Sequence, residues 1–218
     1  MDNPLKSTRS TVMLARALIG FTIIWNLIEG PVSIGVGAGA GSVALVSFGL
    51  DSFIEVLAAL VALSHIAGST TGPSVRREGL ARRVIAATFV CLTGYVLAGS
   101  SYMFVQGQAP SAPVVGIIVA IASLIVMPAV GLAKLRIARA LGSQVLVAES
   151  TQTVVCAYLS LTLLLGVGAN RLAGWWWADP LAALAMLPLL VREAFRGLQA
   201  GIERPGGTEG GIGTYRPA

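Results

Sequence analysis

Five side chains in an otherwise oily sequence have the types and spacing to hold a cation: Asp51, Glu55, Glu149, Gln152 and Cys156. Asp51 and Glu55 stand in "GLDSFIEVLAALVAL", residues 49–63. Residues four apart share one face of a helix, so the two carboxylates point the same way. Glu149, Gln152 and Cys156 stand at i, i+3 and i+7, again one face. Two or three carboxylates, an amide oxygen and a thiolate make a mixed hard and soft donor set. Oxygen cages favour Mg²⁺ or Ca²⁺, whereas sulfur favours zinc-like or softer metals. Such ligands must shed protons to bind, and burial favours the protonated acid. A site of this kind therefore holds either protons or a divalent cation. Glu149 lies closer to the cytosolic end of its span and is expected to be of second rank. Cys156 taken alone is a small apolar filler; its spacing from Glu149 and Gln152 raises it above that.

The elements that must position these groups are membrane spans. Of the 218 residues, 55% are hydrophobic and 11% charged, against about 25% charged in soluble domains. Mean hydropathy is +0.80. The apolar runs predict six spans, at 11–28, 42–65, 84–106, 113–133, 144–168 and 175–195. Polar residues 1–10 form an expected N-terminal tail, 11–202 the transmembrane domain, and the Gly-rich 203–218 an expected disordered tail. The fold class is all-α and polytopic.

The net charge of +5 does not indicate nucleic acid, because the basic residues lie in the gaps between apolar runs. Fourteen of the fifteen Lys and Arg residues fall on one side: Lys6, Arg9 and Arg16; Arg76, Arg77, Arg82 and Arg83; Lys134, Arg136 and Arg139; Arg192, Arg196, Arg204 and Arg216. Only Arg171 falls on the other. The positive-inside rule then places both termini in the cytosol. Trp175, Trp176 and Trp177 are expected at the outer edge of span six as an interfacial belt.

Residues 41–55, "GSVALVSFGLDSFIE", align with residues 142–156, "GSQVLVAESTQTVVC", at an offset of 101. Ser52 falls on Thr153, Asp51 on Gln152 and Glu55 on Cys156. Each three-span half has an odd number of crossings, so the halves run in opposite senses. Inverted repeats with a site at the midplane are a recurrent transporter plan. Asp51 and Glu55 are the tenth and fourteenth residues of span two, which at 1.5 Å per residue puts them near the middle of a core about 30 Å thick. A charge there costs on the order of 2.5–3.5 kcal/mol on insertion scales, so the pair needs a partner or a task. No Lys or Arg is expected near that depth to neutralise them. Asn26 and Glu29 share a face of span one and are expected at the outer entrance. "GVGAGAGS", residues 35–42, has no following Lys and is expected to be a flexible connector. No nucleophile–base pair, zinc-finger spacing or dinucleotide fingerprint is present, so no enzyme is expected.

These motifs resemble the cation diffusion facilitator (cation efflux) family over all six spans. "GSVALVSFGLDSFIE" is similar to that family's second-span motif, with Asp51 and Glu55 at the paired ligand positions. "LVAESTQTVVCAYLS" is similar to its fifth-span segment, with Gln152 and Cys156 where His and Asp are usual. "WWWADPLAALAMLPLLVREAF" is similar to its sixth. The resemblance implies a metal/proton antiporter of the cytoplasmic membrane, a homodimer, exporting zinc or a similar divalent ion as cargo, with no resident cofactor. Two departures stand out. Span five lacks both His and Asp, which bears on zinc selectivity. The sixteen residues 203–218 stand in place of the family's cytosolic metal-sensing domain. Two rival readings remain: a non-transporting membrane partner derived from the transporter fold, and a transporter of a small organic cation.

Overall fold

The computed structural model describes residues 4–67, 75–107 and 110–202. The expected disordered tail, 203–218, lies outside the described residues. The fold is all-helical, with six helices in order: α1 (Pro4–Ala40), α2 (Val43–Ala67), α3 (Val75–Gln106), α4 (Val114–Ala140), α5 (Gln144–Ala173) and α6 (Ala178–Ile202). Five of them, α1 to α5, contain segments long and apolar enough to cross a membrane. Helix α6, with Asp179, Arg192, Glu193 and Arg196 in its length, is not among them. The chain is thus a multi-pass membrane protein.

Helices α2 and α5 are the most buried, and the others wrap them. α1 packs on α2, α4 on α5, and α3 on α6, while α2 and α5 meet at the centre. Phe48, Leu45, Leu159, Leu163, Met186 and Leu190 fill the space between them. The outward faces of α1, α3 and α4 carry exposed Ile24, Ile28, Leu97, Ile118 and Ile125, as helices facing lipid do.

Two expectations about α1 are corrected. The helix begins at Pro4, inside the expected tail, and runs on to Ala40. Most of the expected connector at 35–42 is therefore helical, and only Gly41 and Ser42 join α1 to α2. Of its helical glycines Gly37 serves close packing, while a Cβ on Gly35 or Gly39 would meet nothing within 4 Å. A Cβ on Gly37 would meet Val46 at 2.8 Å, and one on Gly49 would meet the Gly30 carbonyl and Ile34 at 2.8 Å.

The 101-residue repeat has a structural counterpart in its turns. Gly41 and Gly142 adopt positive φ, +69° and +63°. In the first turn the Ser42 N–H donates to the Gly37 carbonyl (2.9 Å) and the Gly41 N–H to that of Ala38 (3.3 Å). In the second, Ser143 N–H donates to Ala138 (3.1 Å) and Gly142 N–H to Arg139 (3.1 Å). Both are helix C-caps of the Schellman type, closed by a left-handed glycine. Each serine then caps the next helix: Ser42 Oγ accepts from the Leu45 N–H (3.0 Å), and Ser143 Oγ from the Leu146 N–H (3.4 Å). Every group in one turn is 101 residues from its equivalent in the other. The glycine contacts repeat too: a Cβ on Gly30 would meet the Phe53 ring at 3.0 Å, and one on Gly131 would meet Val154 at 2.8 Å.

Gly49→Val should destabilise the α1–α2 pair by about 1–3 kcal/mol through overpacking. Gly20→Ala, where nothing lies within 4 Å of the added Cβ, should leave stability within experimental error. Thermal unfolding of the purified variants in detergent checks both.

Candidate functional site

Asp51 and Glu55 lie on the inner face of α2, one helical turn apart, and both are buried. Across from them, α5 presents Glu149, Gln152, Thr153 and Cys156, all buried as well. The two faces meet: Thr153 Oγ1 donates to Glu55 Oε1 at 2.5 Å. Glu55 Oε2 has no hydrogen-bond partner, nor does the Gln152 Nε2. Cys156 lies within electrostatic range of Asp51 and Glu55. Asp51 has Glu55, Glu29 and Glu193 as charged neighbours. Among the described residues, no three His, Cys, Asp or Glu side chains converge closely enough to form a ready-made metal cage.

Helix α4 supplies a residue that sequence reasoning misplaced. Lys134 was expected in the loop between spans four and five, with no basic group near the carboxylates. Instead α4 continues to Ala140 and Lys134 is 2% exposed inside the bundle. Its ammonium donates to Glu149 Oε1 in an ion pair, to Thr22 Oγ1 of α1 (3.1 Å) and to Thr153 Oγ1 of α5 (2.6 Å). All three N–H bonds of the ammonium are used. Glu149 is therefore already neutralised, and only its Oε2 is without a partner.

Asn26 and Glu29 are also corrected. They do not line an entrance but lie within the bundle, 0% and 4% exposed. Glu29 Oε1 accepts from Trp25 Nε1 (3.1 Å) and from Ser123 Oγ of α4; its Oε2 accepts from Ser52 Oγ of α2 (3.2 Å). Asn26 Nδ2 donates to the Thr22 carbonyl (3.0 Å), leaving its Oδ1 without a partner. The repeat governs this arrangement. Ser123 is 101 residues beyond Thr22, and Thr153 is 101 beyond Ser52. One member of each equivalent pair, Ser52 and Ser123, holds an anion, Glu29. The other members, Thr22 and Thr153, hold a cation, Lys134. A search for polar residues at helical spacing on span one (Thr22, Asn26, Glu29, Ser33) would have found this buried stripe.

Asp179 has a separate task. Its Oδ1 accepts from Ser42 Oγ (2.5 Å), and its Oδ2 from the backbone N–H groups of Val43 (3.0 Å) and Ala44 (3.4 Å). A carboxylate there satisfies the free donors at the start of α2 and its helix dipole. The group anchors α6 to α2 and does not join the acidic cluster.

A family profile described as the cation efflux transmembrane domain matches residues 19–202. No curated protein matches the chain.

Removing Lys134 alone should leave Glu149 as an unpaired buried charge. Lys134→Met should then cost about 3–5 kcal/mol, the usual penalty for breaking a buried pair from one side. Adding Glu149→Gln should recover more than half of that loss, as read by chemical unfolding in a double-mutant cycle.

Proposed function

Because the chain belongs to the cation efflux (cation diffusion facilitator) family, a family of metal cation transporters, we propose that it exports a zinc-like divalent cation from the cytosol in exchange for protons. In this reading all six helices span the cytoplasmic membrane, both termini are cytosolic, and the two three-helix halves are inverted. The charge asymmetry supports that orientation even with Lys134 withdrawn into the bundle, since thirteen of the other fourteen Lys and Arg residues still fall on one side. The packing supports the inverted halves: exchanging α1 with α4, α2 with α5 and α3 with α6 turns the α1–α2 contact into α4–α5 and α2–α3 into α5–α6.

The cargo site of this proposal is Asp51, Glu55, Gln152 and Cys156, with Glu149 in the second rank. The observation that carries it is the meeting of two buried carboxylates of α2 with the polar face of α5, where Glu55 Oε2 has no partner of its own. A buried carboxylate oxygen without a donor is costly and gives an incoming cation or proton something to neutralise. A cation and protons then compete for the same oxygens. The donor set comes from both halves, so rocking one half against the other would open and close it.

One observation favours a second reading, a membrane partner that does not transport: the described residues hold no preformed group of three acidic, thiol or imidazole ligands. Calorimetry separates the two. Transport requires divalent-cation binding near neutral pH, and the second reading predicts none.

Proteoliposomes carrying an imposed pH gradient should accumulate or release zinc in step with the gradient. Asp51→Asn and Glu55→Gln should each lower that flux by at least about tenfold, the factor for roughly 1.4 kcal/mol. Gradient-driven flux at the native rate in Asp51→Asn rules this site out.

A further inference from the structure

Thr153 sits where two neighbours compete for a hydroxyl that carries one hydrogen. Its Oγ1 lies 2.6 Å from Lys134 Nζ and 2.5 Å from Glu55 Oε1. An ammonium has only donors, so the Lys134 contact must use a lone pair of the threonine oxygen. The hydroxyl hydrogen is thereby left for the carboxylate. The other acceptor within reach, the Glu149 carbonyl of the same helix, is 3.5 Å away and too distant to compete.

Lys134 has no freedom to turn aside. Its other two hydrogens go to Glu149 and to Thr22, and the Thr22 hydroxyl gives its own hydrogen to the Leu18 carbonyl (3.0 Å), which leaves it an acceptor for the ammonium. The row therefore runs in one sense, from the ammonium through the Thr153 hydroxyl to Glu55 Oε1. That oxygen already spends a lone pair on the hydroxyl, whereas Oε2 has no donor on either of its lone pairs. Glu149 repeats the pattern, with Oε1 held by Lys134 and Oε2 free.

We infer that Thr153, oriented by Lys134, is a specificity-determining positioning residue: by occupying a lone pair of Oε1 it favours binding of a cation through Oε2 of Glu55 and biases the site toward ions of low coordination number over calcium-like ions. The inference rests on the cargo site proposed above. Calcium-like ions take six to eight oxygens, often with a carboxylate that offers both of its oxygens at once. Zinc-like ions are satisfied by four ligands, one atom from each. A site whose glutamates each keep one oxygen free of donors suits the second class. The thiol of Cys156, which is soft, acts in the same direction. Thr153 touches Glu55 and not the cargo, so its effect is on which ion is preferred.

The test uses the full chain in lipid nanodiscs, with zinc and calcium as probe ions in competition binding. In Thr153→Val the zinc-to-calcium preference should fall by about tenfold, the factor one hydrogen bond to a charged group carries. In Thr153→Ser, which keeps the hydroxyl, the preference should hold. Should the valine variant not fold, Thr153→Ala serves in its place. A second readout needs no cation. The infrared carboxylate stretch of Glu55, assigned by difference against Glu55→Gln, should shift when the hydroxyl is removed and stay in place with serine. An unmoved band, or an unchanged preference in a wild-type protein that binds zinc, overturns this inference and leaves the transport proposal standing. A wild-type protein that binds neither ion overturns both.

Discussion

A hydrocarbon interior offers no water to a polar group, so each buried donor and acceptor must find its partner within the protein. That constraint explains how the centre of this bundle is built. Lys134 and Glu149 approach because neither can remain alone at that depth. The ammonium still has two hydrogens to place, and Thr22 and Thr153 accept them. Thr153 then has its own hydrogen to place, and Glu55 accepts it. Helices α1, α4, α5 and α2 are joined in sequence by this row. Apolar packing brings the helices together but does not fix their rotation about their own axes. The polar row does, because a small rotation of α5 would strand Thr153 away from Lys134 or Glu55.

The repeat adds a second layer to the same constraint. The two halves of the repeat share their turns and one close glycine contact, at Gly30 and Gly131, and present hydroxyls at two equivalent positions, Thr22 with Ser123 and Ser52 with Thr153. Yet the halves place opposite charges on those hydroxyls, Glu29 on one member of each pair and Lys134 on the other. A hydroxyl can donate or accept, so it tolerates either sign at an equivalent position. Divergence of charge within a conserved frame needs such adaptable partners. It leaves α2 with carboxylates, and α5 with an amide and a thiol, at positions that the repeat makes equivalent.

Much of this was legible in the sequence. The helical runs, the 101-residue offset and the polar faces of α2 and α5 all follow from hydropathy and spacing. The profile over residues 19–202 agrees with the resemblance read from the second-span motif. Three features were not legible, for physical reasons. Lys134 was read as a loop residue because the apolar run of span four ends just before it. Helices continue beyond their apolar runs, and an ammonium whose three hydrogens are accepted can lie inside the bundle. Residues 35–40 were read as connector because glycine and alanine score as flexible. What decides them is the close face of α2, invisible until the helices are paired. The apolar run of span one puts Glu29 at an entrance, but the helix runs on past residue 28 to Ala40 and keeps Glu29 within the bundle.

That the described residues hold no ready-made metal cage bears on how such a site would work. A transporter that held its cargo in a rigid, complete shell would bind it well and release it slowly. Donors divided between α2 and α5, and therefore between the two halves, would complete the shell only in one relative position of the halves. Glu55 meets α5 through the Thr153 hydroxyl and lies beside the Cys156 thiol, and its Oε2 has no hydrogen bond that would have to break. The ammonium of Lys134 is paired with Glu149, so the two together add no net charge beside the carboxylates of α2. A cation bound there would be held by donors from two helices. Its release would then need only a modest change in the distance between α2 and α5, of the kind that rocking halves supply.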